Sequence, residues 1–220
     1  MGDLTLSFYQ AEGPLCVIFG AGAPDFPSLP RALFKGAYII AADGGVDNAR
    51  ALHVLPDLII GDFDSLRGPL VRDLSTEVIE LPHQKELSDL HAAVLAGIEE
   101  GCCRFLLLGC TGGRLDHLLA NLFLLQYIRE TGGEGILADS QNVVHYLDGF
   151  SGRVEMPGGF TYVSLLPVDR SIGQVTLTGF EYPLKNARLS RADTRGISNE
   201  PNGEMMIEEK GACFLVFSKA

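Results

Sequence analysis

Gly61-Asp62-Phe63-Asp64-Ser65 sets two carboxylates two residues apart, directly after the run Pro56-Asp57-Leu58-Ile59-Ile60. That run reads as a short buried strand. The pair therefore falls at or just past its C-terminal end, the edge at which open α/β sheets bind ligands. Two acidic groups are costly to bring together there unless a cation lies between them. For an oxygen-only pair the natural cation is Mg²⁺, held by one or two carboxylates together with substrate phosphates. Taken alone, the same pair is also an ordinary solvated loop.

Three further segments bring reactive side chains to the same edge. Ala41-Ala42-Asp43-Gly44-Gly45 closes another apolar run; Asp43 stands at the edge, and the two glycines let backbone approach a ligand closely. Lys85-Glu86-Leu87-Ser88-Asp89 opens a helix. Ser88 and Asp89 suit a first turn, but Asp89 is equally an edge carboxylate and Lys85 a phosphate contact. Gly109-Cys110-Thr111-Gly112-Gly113-Arg114-Leu115-Asp116-His117 is a glycine-rich turn leading into a helix N-terminus, a ready anion site. Arg114 adds a planar donor fork suited to phosphate oxygens. The Gly-Lys-Ser/Thr ending of a P-loop is missing. His117 reads as a packed, hydrogen-bonded side chain. Asp116 and Asn121 read equally as a helix-start residue and an interior polar group. Gly20-Ala21-Gly22 lacks the third glycine of a dinucleotide fingerprint, Asp25 standing in its place, and reads as a tight turn. Each segment has an ordinary structural use. Together, four edge loops presenting Asp43, Asp62 with Asp64, Asp89 and a Gly-Gly-Arg turn describe Mg²⁺-assisted transfer from a nucleoside triphosphate.

The scaffold must bring these loops to one edge. Apolar runs at Leu15–Gly20, Ala37–Ala42, Asp57–Gly61, Thr76–Leu81, Arg104–Gly109 and Gly135–Asp139 read as strands. Most are continuous rather than alternating, as in parallel strands covered on both faces. Helical patterns lie between them. Ser88 is a plausible N-cap for Asp89–Glu100, with Gly101 just past its end, and Arg114–Glu130 is the longest periodic segment. The alternation predicts an α/β domain over 1–140 with a doubly wound, mostly parallel sheet. From Asn142 the helical signal stops. Short strands are expected at Val143–Leu147, Arg153–Met156, Thr161–Leu166, Gln174–Thr178, Glu204–Glu208 and Ala212–Phe217, separated by Gly/Pro/Asn turns. They predict a smaller all-β sandwich over 141–220.

The 220 residues carry 17 basic and 28 acidic side chains, a formal net charge of −11. That argues against a nucleic-acid binder, which needs a basic face, but not against a nucleotide enzyme. The five cysteines, an odd number, include no CxxC spacing and lie mostly in apolar runs, the pattern of buried thiols in a reducing cytoplasm. No signal peptide is evident, and no apolar stretch approaches membrane-spanning length, so no membrane partner is expected.

The whole set of motifs resembles the thiamine pyrophosphokinase family. The matching blocks are Asp43-Gly44-Gly45, Gly61-Asp62-Phe63-Asp64-Ser65, Lys85-Glu86-Leu87-Ser88-Asp89, Gly112-Gly113-Arg114-Leu115-Asp116-His117 with Asn121, and Ser198-Asn199-Glu200, in the family's order. The resemblance implies transfer of a diphosphate from ATP to the hydroxyethyl group of thiamine, giving thiamine diphosphate and AMP, by a homodimer. It implies that Asp43, Asp62, Asp64 and Asp89 hold Mg²⁺ and ATP. Thr111, Gly112, Gly113 and Arg114, with Lys85, would contact the triphosphate. Asp116, Ser198 and Asn199 would contact thiamine, the Ser198-Asn199 turn reaching the partner subunit's site. Where the family more often has Lys-Asp-x-Thr-Asp, this chain has Lys-Glu-x-Ser-Asp, which keeps the chemistry. It has no Trp, so any stacking on thiamine falls to Phe or Tyr.

Overall fold

The computed structural model describes residues 12–63, 75–84 and 86–220. Asp64, Ser65 and Lys85 lie outside the described residues. The described chain divides into two compact units, over residues 12–140 and 141–220.

The first unit alternates strands and helices: β1 Leu15–Phe19, β2 Tyr38–Ala42, α1 Gly45–Ala51, β3 Leu58–Gly61, β4 Glu77–Glu80, α2 Asp89–Glu99, β5 Arg104–Leu108, α3 Leu115–Glu130 and β6 Glu134–Ala138. Its strands lie in the order β4-β3-β2-β1-β5-β6, and every pairing is parallel. Leu15 through Phe19 of β1 are all buried, as are Phe105 through Leu108 of β5. Continuous apolar runs in the sequence thus mark strands covered on both faces. β4, at the edge, is largely exposed and carries Glu at both ends, a common protection of a sheet edge. The chain winds outward from β1 through β2, β3 and β4, then crosses back to place β5 on the other side of β1. The point of reversal, between β1 and β5, is where doubly wound sheets open a ligand crevice.

The second unit holds β7 Asn142–Asp148, β8 Ser151–Val154, β9 Tyr162–Pro167, β10 Ser171–Phe180, β11 Leu184–Ser190, β12 Pro201–Lys210 and β13 Ala212–Ser218. Two antiparallel arrays form, β7-β13-β9 and β11-β10-β12-β8. Val163, Leu165 and Pro167 of β9 are buried in alternation with Ser164 and Leu166, and Met205, Ile207 and Glu209 of β12 alternate in the same way. Each array hides one face, as the layers of a sandwich do. The mixed fold is the one expected, with local differences. The strand read at Arg153–Met156 lies at Ser151–Val154, because Pro157-Gly158-Gly159 ends the extended run early. β11 was not anticipated: Leu-Lys-Asn-Ala-Arg-Leu-Ser has too few apolar residues to signal a strand, and it forms an exposed edge. No helix among the described residues is long and apolar enough to cross a membrane.

Candidate active site

Asp43 follows β2 in the left-handed region, at φ 50°. Its N–H donates to Ile60 O at 2.8 Å, which ties the end of β2 to β3. Gly61 makes this approach possible: a Cβ there would lie 2.9 Å from Asp43 Cα and 3.0 Å from its N. Asp43 is only 7% exposed, and its Oδ1 is buried without a hydrogen-bond partner among the described residues. A buried carboxylate oxygen without a donor is costly and suits a cation. Asp62 is next to Gly61 and half-buried; its Oδ2 lies 3.4 Å from Nδ1 of the exposed His83. Asp89 opens α2, whose N-cap Ser88 accepts a bond from the N–H of His91 at 3.2 Å.

One carboxylate oxygen from each of Asp43, Asp62 and Asp89 lies within 4.8 Å of the other two. Three oxygen donors, one of them orphaned, fit a hard divalent cation. Phe63, between Asp62 and Asp64, also has a left-handed backbone at φ 59°, while its ring packs on Ala41, Val46 and Ile59. Left-handed conformations at non-glycine residues cost of order 1–3 kcal/mol and gather at functional sites. Here one of them, Asp43, belongs to the carboxylate cluster and the other, Phe63, follows Asp62.

A cleft of about 260 Å³ opens at the reversal between β1 and β5. Its walls are the Gly20-Ala21-Gly22 turn, Asp43, the head of α2 with Ser88 and Asp89, and Gly109 through Arg114. Gly112 and Gly113 are consecutive left-handed residues, at φ 78° and 66°, a path that side chains with a Cβ resist. Asn121 Nδ2 donates to Cys110 O at 2.9 Å and pins that turn to α3. Burial pushes the Cys110 thiol up to about 12, so it stays protonated and inert near neutral pH.

Arg114 is the N-cap of α3 and makes a two-point contact with Asp116: Nε to Oδ1 at 3.1 Å and Nη2 to Oδ2 at 2.6 Å. The guanidinium holds the Asp116 carboxyl down to about 2, and the carboxylate raises Arg114 in return. Both side chains are exposed. Asp116 and Arg114 thus form an exposed ion pair where Arg114 lines the cleft.

The structure gathers Asp43, Asp62, Asp89, Thr111, Gly112, Gly113 and Arg114 in one unit. Ser198 and Asn199 belong to the other. Ser198 is exposed and left-handed, at φ 54°, and its N–H donates to Ser164 Oγ at 3.0 Å. Asn199 is buried, and its side chain is engaged locally: Oδ1 accepts from the N–H groups of Tyr182 and Glu200 at 2.9 and 3.0 Å, and Nδ2 donates to Tyr182 O at 2.8 Å. Sequence reasoning missed Asn48, a buried amide on α1. Its signal was a polar residue beside Val46 and Ala49 on the inward face of a short helix.

Two family models and several known proteins match this chain. Residues 29–135 match the family model described as "Thiamin pyrophosphokinase, catalytic domain". Residues 153–210 match the one described as "Thiamin pyrophosphokinase, vitamin B1 binding domain". The thiamine pyrophosphokinase of Bacillus subtilis is 31% identical over 185 residues, covering 82% of this chain and 86% of that protein.

The chain belongs to the thiamine pyrophosphokinase family.

Solved structures in the family superpose closely. The Bacillus subtilis enzyme gives a TM-score of 0.80 at 25% identity, covering 94% of this chain and 99% of its own. The Geobacillus thermodenitrificans enzyme gives 0.78 at 28% identity, covering 94% and 98%. The carboxylate cluster and the Gly-Gly-Arg turn lie within residues 29–135.

Proposed function

We propose that this protein is a thiamine diphosphokinase, transferring a diphosphate group from ATP to the hydroxyethyl oxygen of thiamine to give thiamine diphosphate and AMP. The observation that carries the reading is the cluster of Asp43, Asp62 and Asp89 beside a glycine turn that ends in Arg114. Asp43, Asp62 and Asp89, with Asp64, are the residues that would hold Mg²⁺. When bound, the metal supplies positive charge against the phosphate oxygens as negative charge builds on them. Arg114 would contact the triphosphate, joined by Thr111, the N–H groups of Gly112 and Gly113, and Lys85, and Asp116 would contact thiamine.

The thiamine hydroxyl oxygen bonds to the β-phosphorus. The bond from that phosphorus to the oxygen bridging to the α-phosphate breaks, and the oxygen departs with AMP. The hydroxyl proton passes to a carboxylate, for which Asp43 and Asp89 are the two candidates. The turn at Ser198 and Asn199, left-handed at Ser198, serves thiamine in the site of a partner subunit. Assembly as a homodimer is supported by exposed apolar side chains in the 141–220 domain, Leu166, Tyr182 and Ile197. The 1–140 domain carries ATP and metal, and the 141–220 domain carries thiamine and pairing. A cytoplasmic setting accords with five free cysteines.

The test is product analysis with protein, ATP, Mg²⁺ and thiamine. AMP and thiamine diphosphate are expected in equal amounts. ADP with thiamine monophosphate would mean single-phosphoryl transfer and would overturn the reading.

A further inference from the structure

Asn48 stands beneath the phosphate side of the cleft and touches two of its turns at once. Its Nδ2 donates to Gly20 O at 2.6 Å and to Gly22 O at 3.0 Å. The residue is buried, at 5% exposure. The Gly20-Ala21-Gly22 turn is held from the other side as well: Gly20 N–H donates to Leu108 O at 2.8 Å and Gly22 N–H to Gly109 O at 2.7 Å. Gly109, at φ 63°, packs directly on the amide; a Cβ there would lie 2.5 Å from Asn48 Nδ2. Asn48 sits on α1, the helix that begins straight after Asp43-Gly44. One side chain thus connects the carboxylate loop after β2, the turn after β1 and the turn after β5.

We infer that Asn48 is a positioning residue for the nucleotide. It acts through the Gly20–Gly22 turn and never touches substrate. Its two amide hydrogens occupy two carbonyl oxygens of the cleft wall. Unclamped, those carbonyls are acceptors free to turn toward an anionic triphosphate, which they would repel. Asparagine is suited to the task because it offers two donors on one short side chain without a charge. An aspartate of the same shape would set a carboxylate against both carbonyls, an acceptor-to-acceptor contact with no proton between. The inference rests on the proposed function in one respect, that the cleft holds a triphosphate.

The experiment separates the two ideas by measuring binding as well as turnover. Wild type, Asn48→Ala, Asn48→Asp and a control, Ile128→Val, are titrated with Mg²⁺–ATP by calorimetry and assayed with thiamine. Ile128 is a fully buried α3 residue outside the cleft lining, so the control is destabilised without touching the turns. Asn48→Ala is expected to weaken Mg²⁺–ATP binding about tenfold, the scale of one or two lost hydrogen bonds, and Asn48→Asp further. KM for thiamine should stay within about twofold of wild type, the pattern of an effect confined to one substrate. Ile128→Val should match wild type in ATP binding despite a lower melting temperature. Folded Asn48 variants with normal ATP affinity would overturn the assignment. So would equal losses of ATP and thiamine affinity, or a loss matched by Ile128→Val. Wild-type protein that binds no Mg²⁺–ATP would instead overturn the functional reading.

Discussion

Replacing Asp43 with asparagine separates its stability effect from its catalytic one. One carboxylate oxygen from each of Asp43, Asp62 and Asp89 lies within 4.8 Å of the other two. At an effective dielectric constant of about 20, two unit charges at that distance repel by about 3.5 kcal/mol. Solvent reaches the half-buried Asp62 and Asp89, and screening leaves about 1–2 kcal/mol for Asp43→Asn to relieve in metal-free protein. The change keeps the side-chain shape, and asparagine tolerates the left-handed backbone that Asp43 adopts at φ 50°. An amide is also cheaper than a carboxylate to leave partly unpaired in a buried position. Asp43→Asn should therefore melt roughly 2–8 °C above wild type in EDTA. The same variant should lose turnover by about a hundredfold or more, the scale for removing one key electrostatic group. The stabilisation that Mg²⁺–ATP gives wild type should shrink or vanish. The assay is thermal unfolding with EDTA and with Mg²⁺–ATP, next to AMP production. A variant that melts below wild type in EDTA would show that the carboxylate supports the fold. Undiminished turnover at saturating Mg²⁺ would show that Asp43 holds no metal.

Gly61→Ala should destabilise the protein by about 1–3 kcal/mol, because its Cβ would overlap Asp43; chemical denaturation measures this, and a neutral effect would mean that the ends of β2 and β3 yield without strain. The Arg114 contact predicts an Asp116 carboxyl that titrates near 2 by NMR, and loss of the guanidinium in Arg114→Ala should bring it back toward 3.8. Because the folded value lies below the ordinary one, the pairing contributes at pH above 3.8 and is lost as pH falls through about 2; an unchanged titration in Arg114→Ala would remove Arg114 as the cause. For the shared site, inactive Asp62→Asn and Ser198→Arg are mixed under conditions of subunit exchange; random pairing leaves one intact site in half of the dimers, so activity should return to about a quarter of wild type. Confirmed exchange without recovery would sink the shared-site arrangement.

The parts of this protein that could be read from sequence are those in which one residue type has one physical use. Continuous apolar runs marked β1, β2, β3 and β5 because strands buried on both faces admit little else. Edge carboxylates and the Gly-Gly-Arg turn stood out because acidic clusters are costly without a cation and paired glycines let backbone approach an anion closely. β11 was silent: an edge strand owes its conformation to its partner β10, and Leu-Lys-Asn-Ala-Arg-Leu-Ser has no periodicity of its own to show it. Asn199 is the converse case. Its place in a family block suggests a ligand contact, while the fold shows the local bonds of its amide to Tyr182 and Glu200, which the sequence does not reveal. Asn48 was missed for the same reason that it matters. A single amide is unremarkable along the chain, and its partners, Gly20 and Gly22, lie 28 and 26 residues away. Only the parallel order β2-β1-β5 brings α1 beneath both turns. The local grammar of the sequence therefore names the groups that meet substrate, while the residues that aim them become visible only once the sheet order is known.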